Sequence, residues 1–353
     1  MAPRRSREIE IPETDRVAGF PHPRQSSRLA GHEQVLARAA QAVRSGRPPQ
    51  GWLIAGPPGI GKATLAYRVA RYLLAYGATE KGAADLSVPS NESSAIQLAA
   101  GSHPGLLVLK RAINPDTGRL MTVISVHEVR RLAGFFGMTS GAGGWRVAIV
   151  DTADDMNDNA ANAILKLLEE PPRRALLLLL SNVPGRLLPT IRSRCQRFDM
   201  RPLEDSTVAS ELERLVPDLS PKKRTALAKL AGGSIGLALQ LSTGEGVALA
   251  EEAEGLIAKA GTPDIPALLS LGDRLARMTD GVETFGAFLQ QVLSDRIRAR
   301  AHEGAANLDR WLECLSKIDS TFRRTNALHL EPRQTVLSAA RSAASAARRA
   351  GAI

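Results

Sequence analysis

Two groups of residues carry side chains and spacing suited to phosphate chemistry, and a third is a polar pair at a strand end. The first is Gly56-Pro57-Pro58-Gly59-Ile60-Gly61-Lys62-Ala63-Thr64, which follows the apolar run Trp52-Leu53-Ile54-Ala55 and opens a stretch of helical periodicity through Leu74. Strand, glycine-rich turn and helix form the context in which backbone N–H groups cradle an anion, with the helix N-terminus adding partial positive charge. Lys62 would reach the outer phosphates. A phosphate loop wants Ser or Thr after its lysine to ligate Mg²⁺, and Ala63 stands there. Thr64 is one residue too far, turned by roughly 100° round a helix. The second group is Val147-Ala148-Ile149-Val150-Asp151, an apolar strand ending in a carboxylate that could support a metal, with Thr152 where hydrolysis would want a base. Asp154 and Asp155 are expected to cap the next helix. The third is the polar pair Ser181-Asn182, ending another apolar run.

These groups need a frame of buried strands. Leu106–Leu109, Trp145–Asp151 and Ala175–Leu180 join the strand at 52–55 as continuous apolar runs, with helices predicted between them over 31–45, 62–74, 124–136 and 160–168. Such strands imply a parallel sheet covered on both faces, an α/β fold. Pro171-Pro172 ends the last of these helices. From Gly77 to Gly101 periodicity fails and an irregular loop is expected. After residue 200 short helical segments replace strands, and beyond 243 long amphipathic stretches recur around 283–301, 308–325 and 332–350. The expected organisation is a flexible lead-in over 1–25, the α/β domain over 26–200, a small helical domain over 201–243 and an all-α bundle over 244–353.

Composition narrows the classes. The 353 residues carry a net charge of +10 and only two cysteines, Cys195 and Cys314. That excludes a disulfide framework and a four-thiolate zinc site. No apolar run reaches the length of a membrane span and no secretory signal precedes the first helix, so the cytoplasm is the expected location. The charge makes nucleic acid a plausible neighbour, although aromatic residues, the stacking platforms of single-strand binders, make up only 4%.

The longest distinctive wording is Asn159-Ala160-Ala161-Asn162-Ala163-Ile164-Leu165-Lys166-Leu167-Leu168-Glu169-Glu170-Pro171-Pro172, continued by Leu187-Leu188-Pro189-Thr190-Ile191-Arg192-Ser193-Arg194-Cys195. It resembles the bacterial clamp loaders of DNA polymerase III, AAA+ proteins, and within them the delta prime kind of subunit. The resemblance is strong over about 20–200 and one of general character beyond. It implies a P-loop AAA+ domain, a helical lid and a helical collar in a five-membered ring with gamma/tau and delta subunits. That ring would load the sliding beta clamp on primed DNA. It assigns to Arg194 an arginine finger acting on a neighbour's ATP, to Asn182 a γ-phosphate sensor, and to Gly236 the place of a missing sensor arginine. With Ala63 and Thr152 this implies little or no hydrolysis by the chain itself. Gly56, Gly59, Gly61, Lys62, Thr64, Asp151 and Asn182 would form a degenerate site, holding ATP or ADP without productive Mg²⁺ or holding nothing. No cofactor is required, and the zinc module common in the family is missing from 77–101. Cys195 reads as a small buried residue. The alternative is an ATP-hydrolysing subunit of the gamma/tau kind or a related AAA+ ATPase.

Overall fold

A computed structural model describes residues 16–113, 120–137, 144–278, 281–304, 308–328, 330–350 and 353. The chain divides into two compact units, 1–201 and 202–353.

The first unit contains α1 (Glu33–Arg44), β1 (Gly51–Ala55), α2 (Lys62–Tyr76), α3 (Ser93–Ala99), β2 (Leu106–Leu109), α4 (Val126–Gly137), β3 (Arg146–Val150), α5 (Asp158–Glu169), β4 (Ala175–Ser181), α6 (Pro189–Arg194) and β5 (Gln196–Asp199). The strands form one parallel sheet in the order β2-β3-β4-β1-β5. This is the parallel α/β architecture expected from the apolar runs. The reason for those runs is visible in how the strands are shared between two cores. Trp52, Ile54, Val147, Ile149, Leu176, Leu178 and Leu180 face α1 and α2. Leu53, Ala55, Ala148, Val150, Leu177 and Leu179 face the core that includes Ile164 of α5 and Ile191 of α6. Alternate residues point to opposite faces of a strand, so a strand covered on both sides must be apolar throughout.

Three expectations change. The segment 77–101 is not irregular throughout, because α3 occupies Ser93–Ala99 and buries Ala95 and Leu98. Periodicity over so short a helix is hard to separate from chance. The pair α6 and β5 was missed altogether, because β5 (Gln-Arg-Phe-Asp) lies at the sheet edge and buries only Phe198. Residues 23–25, counted with the lead-in, form a 3₁₀ turn, capped by the buried His22 and tied to α2 by Arg71 Nη2 donating to Arg24 O at 2.7 Å. The rest of that lead-in, 1–15, lies outside the described residues.

The second unit is helical among its described residues: α7 (Asp205–Leu215), α8 (Pro221–Leu230), α9 (Ile235–Ser242), α10 (Gly244–Ala258), α11 (Ile265–Arg277), α12 (Gly281–His302), α13 (Asp309–Leu328) and α14 (Pro332–Ala350). The expected division near 243 falls on Thr243, which closes α9 and opens α10 with no linker between. Among the described residues no helix is long and apolar enough to cross a membrane.

Candidate functional site: a phosphate loop and an arginine at opposite sheet edges

Because β4 lies between β1 and β3, the C-terminal ends of these three strands bring the loop 56–61, Asn182 and Asp151 to one edge of the sheet. The loop has the backbone of a phosphate cradle. Gly56, Gly59 and Gly61 take φ of 154°, 74° and 108°, values that side chains rarely tolerate. At Gly56 space forbids a side chain as well, since a Cβ would lie 2.4 Å from Met200 O.

Lys62, the first residue of α2, is 7% exposed. Its ammonium donates to Gly56 O at 2.8 Å, to Pro57 O at 2.7 Å and to Asn182 Oδ1 at 2.7 Å. Burial lowers its pKa to about 8, opposed by the carboxylates of Asp151 and Asp154. The lysine is therefore engaged by its own loop and by the strand next door. Thr64 lies two residues on, about 200° round the helix from Lys62, and is half-buried. Ala63 packs against the core, so no hydroxyl stands beside Lys62 to ligate a metal. The cradle fits phosphate, and its side chains fit a productive Mg²⁺ poorly.

Asp154 has a role that the sequence reading missed. It was expected to cap α5, but Asn157 does so, its Oδ1 accepting from Ala160 N at 2.9 Å. Asp154 instead accepts from Ser181 Oγ at 2.7 Å, from Asn182 N at 2.5 Å and from Val183 N at 3.3 Å. It fixes the end of β4 and thereby the Asn182 amide that meets Lys62. The side-chain signal was present as a carboxylate just beyond β3, but its partners are 27 to 29 residues away.

Arg194 is elsewhere. It ends α6 just before β5, whose first residue, Gln196, lies beside Trp52 at the start of β1. A Cβ on Gly51 would lie 3.4 Å from Arg194 O. The arginine thus stands at the N-terminal edge of the sheet, whereas the phosphate loop follows the C-terminal end. The length of β1 alone separates them by about 13 Å at 3.3 Å per residue. Its guanidinium is exposed, with Nη2 at 2.8 Å from Glu169 Oε1 and Nη1 donating to Thr190 O at 3.1 Å. Glu169 comes from the end of α5, so the two halves of the distinctive wording meet here. Burial pushes the neighbouring Cys195 thiol up to about 12, although the residue is half-buried and not fully buried as expected. Gly236 lies in the first turn of α9 in the second unit, behind the cap that Ser234 makes to Leu237 N at 3.1 Å.

Comparison with known proteins adds to this geometry. The family model described as "DNA polymerase III, delta subunit" matches residues 31–204, the α/β domain with its two edge sites. Subunit delta' of DNA polymerase III from Pseudomonas aeruginosa is 41% identical over 198 residues, 56% of this chain and 56% of that protein. Over this domain the chain is similar to the delta prime subunits of the DNA polymerase III clamp loader. The Escherichia coli delta' subunit is 32% identical over 58% of each chain. The Escherichia coli tau subunit is 26% identical over 86% of this chain and 44% of its own length. The match to the curated delta prime relatives spans little more than half of their length. The matched region 31–204 contains both the glycine loop 56–61 and Arg194.

Proposed function

We propose that this chain serves as a delta prime subunit of a DNA polymerase III clamp loader, a scaffold that hydrolyses little or no ATP itself. It would supply Arg194 to ATP held by a neighbouring gamma/tau subunit, in a ring with delta that loads the sliding beta clamp on primed DNA. The observation that carries the reading is the position of Arg194, exposed and at the opposite sheet edge from the chain's own phosphate loop. An arginine so placed stands away from any phosphate held by the chain's own loop and is open to a neighbour. A guanidinium entering in trans stabilises charge developing on the transferred phosphoryl group. The chain's own edge supports the complementary half of the proposal. Ala63 offers no metal hydroxyl, Thr152 no catalytic carboxylate and Gly236 no sensor guanidinium. Lys62 is meanwhile held by Gly56, Pro57 and Asn182. Bound nucleotide would supply phosphates for the loop amides and Lys62, without requiring a cofactor or zinc for the role.

The test uses a loader reconstituted with this chain or with Arg194→Ala. ATP turnover stimulated by DNA and clamp is expected to fall, with the served site losing on the order of 10³ in rate while the assembly stays intact. An unchanged rate sinks the finger assignment. A second reading, an ATP-hydrolysing subunit of the gamma/tau kind, draws on the intact glycine loop and the similarity to tau over 86% of this chain. It requires magnesium-dependent turnover by the isolated chain that Lys62→Ala abolishes.

A further inference from the structure

The second unit carries a polar groove that the proposed role does not use. It runs between α13 and α14 and encloses about 210 Å³. The two helices are consecutive and antiparallel, closed near their turn by the 2.6 Å contact between Thr325 Oγ1 and Thr335 Oγ1. From α13 the groove receives Arg310 and Lys317, and from α14 it receives Arg341 and Arg349. Seven residues separate the first pair and eight the second, so on each helix the cations stand about two turns apart, roughly 11 Å. Half-buried Ser338, Ser342 and Ser345 line the α14 wall, above a floor that includes Cys314 and Ala346. Glu313 is the single acidic residue of the lining, and it is taken by Arg310 Nη1 at 3.2 Å. Among the described residues no carboxylate pairs with the side chains of Lys317, Arg341 or Arg349.

The geometry points to a binding track for the phosphodiester backbone of single-stranded nucleic acid. Guanidinium, ammonium and hydroxyl groups are the donors that phosphate oxygens take up, and here all three kinds line one groove. Two packed helices 8–10 Å apart leave a trough the width of one strand. No aromatic side chain lines it, so bases have nothing to stack on and binding is independent of sequence. The track lies in the helical unit, and its occupancy does not depend on whether Arg194 acts as a finger.

The experiment measures binding of labelled oligothymidylate to the full chain by fluorescence anisotropy across a salt series. It compares the chain with Lys317→Ala/Arg341→Ala/Arg349→Ala. All three residues are exposed, and an unchanged melting temperature verifies that the variant folds. Three lost phosphate contacts are expected to reduce the salt slope by about 2 and to weaken binding at least tenfold at low salt. Lys222→Ala/Lys223→Ala/Lys229→Ala removes the same charge from exposed sites on α8 and is expected to change affinity less than twofold. Equal losses in the two variants would overturn the proposal by reducing it to net charge. It is also overturned if polyglutamate displaces the oligonucleotide at equal charge concentration, which assigns the groove to acidic peptide. Duplex DNA binding as tightly, with the same dependence on the three residues, would overturn the single-strand assignment.

Discussion

Lys62 carries its charge where water hardly reaches, and its protonation is therefore coupled to folding. The folded chain holds that proton less tightly than the unfolded one, with a pKa lowered from 10.5 to about 8 by burial. Between these values the unfolded state binds the additional proton, so Lys62's contribution to stability rises with pH across this window. Urea titrations of the chain and of Lys62→Met from pH 7.5 to 10.5 isolate the effect. The chain is expected to gain on the variant by up to about 3 kcal/mol, and a difference constant with pH excludes the coupling. Asp154 works in the opposite sense, as the acceptor that satisfies buried donors. Replacing it by Ala leaves the hydroxyl of fully buried Ser181 and the amide of Asn182 without this partner. The expected loss is about 1–3 kcal/mol, measured by chemical unfolding, with Asp154→Glu failing to restore it because the longer chain displaces the carboxylate.

At the scale of elements, α2 anchors the cysteine-free stretch 77–92. Arg68, buried on α2, donates from Nε to Asp85 O at 2.9 Å, from Nη2 to Asp85 Oδ2 at 2.8 Å and from Nη1 to Ser27 O at 2.7 Å. One turn on, Tyr72 Oη donates to Thr79 O at 2.8 Å and accepts from Gly82 N at 3.2 Å. Leu86 and Val88 complete the attachment by entering the core on that face of the sheet. A guanidinium, a phenol and two apolar side chains thus fasten a segment without cysteines. Arg68→Ala is expected to cost on the order of 1–3 kcal/mol, since it removes the hydrogen bonds that a buried guanidinium donates to Asp85 and Ser27, and to open cleavage sites between 77 and 92 to limited proteolysis. A strong chelator is expected to leave the melting temperature of the unaltered chain unchanged. A chelator-sensitive melt would overturn the zinc-free reading.

At the scale of the molecule, the first unit is complete in its own right. Its sheet is sandwiched between two apolar cores, one against α1 and α2 and the other against α4, α5 and α6. No strand of that sheet comes from the second unit. Residues 1–201 expressed alone are therefore expected to unfold in one cooperative transition and to keep the Lys62 environment, read as the same pH dependence of stability. A fragment that melts without cooperativity would show that the helical unit is needed to fold it. The second unit contains Gly236 and the α13–α14 groove, so the fragment would lack both.

The strands could be read directly because two-sided burial forces continuous apolar runs, and the long helices because their apolar faces recur over several turns. The glycine loop was equally legible, since backbone dihedral demands are local and written in residue type. Ala63 and Thr152 likewise declared chemistry that their side chains cannot perform. What needed the tertiary structure was everything set by distant neighbours. β5 carries too little apolar signal to announce an edge strand, and α3 is too short to show a period. Asp154 looked like a helix cap because its true partners, Ser181 and Asn182, enter through the strand order. Glu169 and Arg194 are 25 residues apart, and only the packing of α5 on α6 joins them. Residue types and local spacing were enough to single out the glycine loop and Arg194. Their separation follows from the fold, because parallel pairing of β5 beside β1 puts Arg194 at one end of the sheet and Lys62 at the other.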